Sequence, residues 1–153
     1  MPPGLKGSDL AKLRILIVAD RDLQLLLVAL LEELGLSRVD RALDAETAMV
    51  QVTKQSGYFD LVICRLDLAK GDGLDVLKFL RERYGKRPFL LLAATATGDT
   101  ISLAQALGVD GFLAIPFNAE TFKKRVVSII AKYLARDAEP DSKASNEEDV
   151  WLI

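Results

Sequence analysis

Three carboxylates and one arginine stand where chemistry is usually done. Asp20 follows the apolar run LRILIVA (13–19), and Arg65 follows the run DLVIC (60–64). Asp67 comes two residues later, and Asp72 sits between glycines in GDG (71–73). An aspartate at the end of a buried strand can act as a nucleophile or hold a hard cation such as Mg2+. A guanidinium can do neither, because it stays protonated and has no acceptor lone pair. What it can do is pair with a carboxylate. An unpaired charge at a strand end is costly, so Arg65 is expected to pair with Asp20, with Asp67 as a further partner. The alternative is a side chain that reaches out to water. Asp20, Asp67 and Asp72 could be read as a metal site, but Asp72-Gly73 is more simply a turn and helix cap.

Composition removes several kinds of chemistry. The 153 residues include no histidine and one cysteine, Cys64. Ser-His and Cys-His pairs, histidine bases and phosphohistidine are therefore excluded. A lone cysteine forms no internal disulfide or zinc cluster, and Cys64 reads as a packed core residue. The net charge of −2 gives no footprint for nucleic acid. The apolar run LQLLLVALL (23–31) is too short for a membrane span and ends in Glu32-Glu33. The first twelve residues hold no apolar run of the kind a secretory signal needs. The expectation is a cytoplasmic, non-enzymatic protein without a membrane or nucleic-acid partner.

The elements that must position these residues alternate along the chain. Buried runs at 13–19, 60–64, 87–94 and 111–115 and a short alternating run at 38–43 read as strands. Helical spacing recurs over 22–35, ended by Gly35, and over 44–55, opened by Asp44. It continues over 73–84, over 99–107 before Gly108, and from Asn118 to 135. The prolines, Pro2, Pro3, Pro88, Pro116 and Pro140, avoid helix interiors. The pattern is (βα)5, an α/β doubly wound parallel sheet of order 2-1-3-4-5 with a flavodoxin-like layout. In such sheets the ligand crevice lies at the carboxyl ends of the strands, here Ala19-Asp20, Arg65 and Ala93 onward. One domain, 12–135, is expected between a loose arm, 1–11, and an acidic tail, 136–153, with a hydrophobic tip.

At these positions the sequence resembles the response-regulator receiver domain of two-component signalling, in its chemotaxis-regulator-like form. RILIVADRD resembles the family's first strand and acid pair. FDLVICRLDLAKGDGLDVLKFLR resembles its third strand, loop and third helix without a gap. RPFLLLAA resembles the fourth strand, and ALGVDGFLAIPF the closing Gly-Ala-x-Gly-Tyr-hydrophobic-Lys-Pro-Phe. The resemblance covers 13–135 and implies the receiver fold. It also implies a site in which an aspartate ending strand 3 accepts a phosphoryl group and an acid pair after strand 1 holds Mg2+. A Ser/Thr ending strand 4 and a Lys before the proline of strand 5 complete that site. On this sequence those positions read Arg65, Ala19-Asp20, Ala93 and Ile115. Asp20 is either the second acid of the pair or the residue after it, and Thr95 and Thr97 are nearby hydroxyls. The resemblance therefore implies a degenerate pseudo-receiver without aspartyl phosphorylation. It would bind Mg2+ weakly or not at all, hold no other cofactor, and act by protein–protein interaction in a phosphorelay.

The family docks partners or dimerises on the face of its fourth helix, fifth strand and last helix. On this chain that implies Phe112, Ala114, Lys123 and Lys124 as contacts for a signalling partner or a second copy. The tail offers Val150, Trp151, Leu152 and Ile153 after an acidic stretch. These read as a linear motif for a groove or sheet edge, as a proteolysis tag, or as a tip that folds back over an apolar patch. Two other functions compete. A flavodoxin-like cofactor binder or small enzyme suits the architecture. The first loop, ADRDLQ, however, lacks the Gly/Ser/Thr residues that cradle a phosphate. A phosphorylatable regulator is opposed by Arg65.

Overall fold

Runs that are apolar on both sides can form strands only where both faces of a sheet are covered. β1 (Arg14–Val18), β3 (Leu61–Arg65) and β4 (Phe89–Ala93) are such runs, and their interiors are fully buried. The two edge strands differ. β2 (Arg38–Ala42) carries three charged residues and is exposed or half-buried up to Ala42, and β5 (Gly111–Ala114) is short and ends on an exposed alanine. The structure, a computed structural model, describes residues 7–56 and 58–138. All five strands are parallel, in the order β2-β1-β3-β4-β5, which is the predicted doubly wound, flavodoxin-like sheet.

The helices are α1 (Gly7–Lys12), α2 (Arg21–Glu33), α3 (Ala45–Lys54), α4 (Gly73–Tyr84), α5 (Gly98–Ala106) and α6 (Ala119–Ala138). Strand alternation sends Ile15, Ile17, Ile63, Leu90 and Leu92 to one face, where they meet α1, α2 and α6. Leu16, Val18, Val62, Cys64, Phe89 and Leu91 go to the other face, against α3, α4 and α5. Cys64 is fully buried, as predicted, and that burial pushes its thiol pKa well up.

The chain's ends depart from expectation. Residues 7–11 were expected in a loose arm, yet they belong to α1, whose Leu10 is buried in the same cluster as Leu31 and Leu36. Six residues are too few to hold a helix by propensity, so that leucine, whose full burial is worth about 2 kcal/mol, seats it. α6 likewise continues to Ala138, into the expected tail, because Arg136, Asp137 and Ala138 contain no helix breaker.

At the amino-terminal end of the sheet Arg81 joins two connections, α4–β4 and α5–β5. Its Nε donates to the Leu107 carbonyl (2.7 Å), Nη2 to that of Gly108 (2.8 Å), and Nη1 to those of Arg87 (2.9 Å) and Gly85 (3.4 Å). Nη2 also lies 3.6 Å from Asp110 Oδ2, which accepts the Phe89 N–H at 2.7 Å. Burial pushes the Arg81 pKa down and the Asp110 pKa up, and their mutual attraction opposes both shifts. Arg81→Met should cost about 2–4 kcal/mol by urea denaturation, because several acceptors lose their donor and Asp110 its partner. With Arg81 gone, the folded state holds the Asp110 proton still more tightly than the unfolded chain does. The variant's deficit should therefore grow as pH rises through the carboxylate range.

Candidate functional site

β1 and β3 are neighbours in register, Val18 opposite Cys64, so the residues just past their ends meet. Ala19 is fully buried and donates its N–H to the Ala42 carbonyl (3.1 Å). Asp20 is the N-cap of α2. Its Oδ2 accepts the Leu23 N–H at 3.3 Å, and its Oδ1 accepts Arg65 Nη1 at 3.1 Å. The expected ion pair is present. The side chains are 28% (Arg65) and 53% (Asp20) exposed, which places the pair in the range of about 0.2–1 kcal/mol. Arg65 Nε is buried and has no hydrogen-bond partner among the described residues. One arm of the guanidinium is thus tied and its stem is unsatisfied.

Asp67 does not join the pair. It is exposed, and its backbone bridges that of Asp72, closing the loop after β3. Asp72 caps α4 instead of facing Asp20. Its Oδ1 accepts the Asp75 N–H at 3.0 Å, while Asp75 Oδ2 accepts the Asp72 N–H at 3.1 Å. The flanking glycines are needed for position. Gly71 has φ +76°, where side chains are strained. A Cβ on Gly73 would lie 2.7 Å from the Arg65 carbonyl oxygen and 2.8 Å from Leu91 Cδ1. The GDG segment therefore presses the start of α4 against the end of β3 and holds Arg65 in place.

The other two strand ends are apolar. Ala93 is buried at the end of β4. Ile115 follows β5, donates its N–H to the Ala93 carbonyl (2.8 Å) and packs against the α2–α6 side of the core. Thr97, one of the nearby hydroxyls, is spent as the N-cap of α5, where Oγ1 accepts the Thr100 N–H at 3.1 Å. Thr95 is exposed.

Gln24 escaped the sequence reading. It is buried, and its Nε2 donates to the carbonyls of Ala19 (2.8 Å) and Ala42 (3.0 Å), tying together the ends of β1 and β2 beneath Asp20. The signal was a single polar residue on the inner side of an otherwise apolar helix.

The four surface residues chosen as partner contacts do not form one patch. Phe112 and Ala114 lie on β5, where Arg125 Nη1 donates to the Phe112 carbonyl (2.9 Å). Lys123 faces α2, with Nζ 2.6 Å from Glu33 Oε1 and 3.6 Å from Glu120 Oε1. Lys124 lines a groove with Leu34, also on the α2 side. Val150, Trp151, Leu152 and Ile153 lie outside the described residues.

Comparison with known proteins agrees with this fold. A family model for the response regulator receiver domain matches residues 15–127. The chain is 31% identical over 123 residues to the chemotaxis protein CheY of Pseudomonas aeruginosa, an alignment covering 78% of this chain and 98% of that protein. It is similar to the solved non-phosphorylated HemR receiver domain from Leptospira biflexa, with TM-score 0.70 and 30% identity over 78% of this chain and 94% of that one. It also shares its fold with a chain of the CheX-CheY-BeF3-Mg2+ complex from Borrelia burgdorferi, with TM-score 0.70, 21% identity and coverages of 76% and 88%.

Arg65→Asp replaces an attraction with a repulsion between carboxylates. It should cost about 1 kcal/mol at low salt, a loss that shrinks with added salt and is recovered as Mg2+ is titrated. An unfolding midpoint that neither falls nor responds to Mg2+ would show that the pair contributes nothing.

Proposed function

The chain belongs to the response regulator receiver domain family, and from that premise we propose that it is a degenerate receiver, acting in two-component or phosphorelay signalling without aspartyl phosphorylation. The observation that carries this reading is the Arg65 guanidinium at the end of β3, hydrogen-bonded to Asp20 at 3.1 Å. By the resemblance, Arg65 holds the acceptor position, and a guanidinium has no lone pair with which to attack phosphorus.

The supporting groups point the same way. The family implies Mg2+, and the residues at these strand ends do not fit it. Asp20 is a single carboxylate already engaged by a cation, and among the described residues no group of three or more Asp, Glu or Cys side chains could hold a metal ion. A cation about 4 Å from the guanidinium would meet a repulsion of about 4 kcal/mol per unit charge at a near-surface dielectric, which offsets much of what a single carboxylate supplies. Ile115 offers no charge to a phosphoryl oxygen, and Ala93 no hydroxyl.

A fixed cation thus stands where the family uses a removable one, and the domain's conformation does not depend on a phosphoryl donor. The protein is not an enzyme and resides in the cytoplasm. No helix among the described residues is long and apolar enough to cross a membrane. Its output is contact with a signalling partner or a second copy through α5, β5 and α6, where Ile101, Leu103 and Ala114 are exposed. Related chains support this mode, as in the CheX-CheY complex.

Incubation with acetyl phosphate and Mg2+ followed by intact-mass analysis should give no phosphoryl adduct, and beryllofluoride with Mg2+ should leave the amide spectrum around Asp20 and Arg65 unchanged. A stoichiometric aspartyl adduct would overturn the reading.

A further inference from the structure

α2 and α6 lie side by side on one face of the sheet, and a groove of about 650 Å3 runs along α6 where Leu34, the C-cap of α2, meets it. Leu34, Val127 and Ala131 give it an apolar floor. Lys123 is held by Glu33 and Glu120, whereas Lys124 and Lys132 are exposed on the rim and form no ion pair among the described residues. The groove is therefore apolar within and positive at its edge.

The sequence supplies a segment of the opposite character. Beyond Ala138 come fifteen residues, 139–153, closing with Glu147, Glu148 and Asp149 and then Val150-Trp151-Leu152-Ile153. The segment starts from the helix that forms one wall of the groove. From Ala138 back to Glu120 along α6 is about 27 Å at 1.5 Å per residue. Fifteen extended residues reach about 50 Å, so the tip can return along the whole groove.

We propose that Glu147–Ile153 of the same chain is the occupant of this groove. The three carboxylates pair with Lys124 and Lys132, and the apolar tip covers Leu34, Val127 and Ala131. The rim pairs set the direction of docking and, once reversed in sign, repel the tail, while burial of the apolar tip adds to the affinity. A short tether gives an effective concentration on the order of millimolar, so even a weak contact is occupied within one chain. The proposal does not rest on the signalling role above.

Trp151 is the chain's one tryptophan and reports the contact directly. In the 153-residue chain its emission should be blue-shifted, and acrylamide should quench it several-fold less than in the same chain unfolded in guanidinium chloride. Both effects should be independent of protein concentration. Lys124→Glu with Lys132→Glu should restore quenching towards the unfolded level. Adding Glu147→Lys, Glu148→Lys and Asp149→Lys to that background should return the protection. Three results would each overturn the proposal: unfolded-like quenching in the native chain, protection that rises with concentration (a second copy as the source of the tip), or protection indifferent to the lysine changes.

Discussion

A parallel sheet covered on both faces leaves charge one place to stand, the ends of its strands. Between their ends β1, β3 and β4 are fully buried, with α1, α2 and α6 on one face and α3, α4 and α5 on the other. Parallel strands joined by right-handed crossovers bring all their carboxyl ends to one edge of the sheet. Residues far apart in sequence therefore meet there. Asp20 and Arg65 are 45 residues apart, and the register of β1 with β3 makes them neighbours. The same edge receives Ala93 and the backbone of Ile115, which hydrogen-bond to each other.

The chain's arginines show how differently one side chain can be used. Arg81 has all three nitrogens bonded to backbone carbonyls and a carboxylate nearby, so it works as a staple between α4, the end of α5 and β4. Arg14 spans Gln55 and Asp40 in a similar way. Among the described residues Arg65 makes one side-chain hydrogen bond and leaves its Nε buried without a partner, at a cost of about 1–3 kcal/mol. An arginine placed only to hold the fold together would be better satisfied. Arg65 sits instead in a site whose shape was made by other requirements: the Asp20 cap, the GDG turn, and the tight approach of Gly73 to its own carbonyl.

Those requirements belong to the backbone and the helix caps. The caps at Asp20, Asp44 and Asp72 and the crossing of α4 over the end of β3 are scaffold features that need no phosphoryl group. The scaffold holds this geometry with a guanidinium at the end of β3, an alanine at the end of β4 and an isoleucine after β5.

Features set by local order were legible in the amino-acid sequence. Strand and helix alternation, the sheet order, the helix caps at Asp44, Asp72 and Asn118, and the identity of the residues at each strand end all follow from periodicity, turn residues and family likeness. Other features depend on which surfaces pack, and these only the tertiary structure decided. It left Asp67 out of the Arg65–Asp20 pair, because the loop backbone carries Asp67 away towards Asp72. It turned Lys123 towards Glu33, because α6 lies against α2. It gave Gln24 and Arg81 buried carbonyls to bind, and Leu10 a core to enter. Periodicity tells which side of an element is apolar. It does not tell which distant charge or carbonyl will face a given side chain, because that depends on how separate elements dock after each has formed.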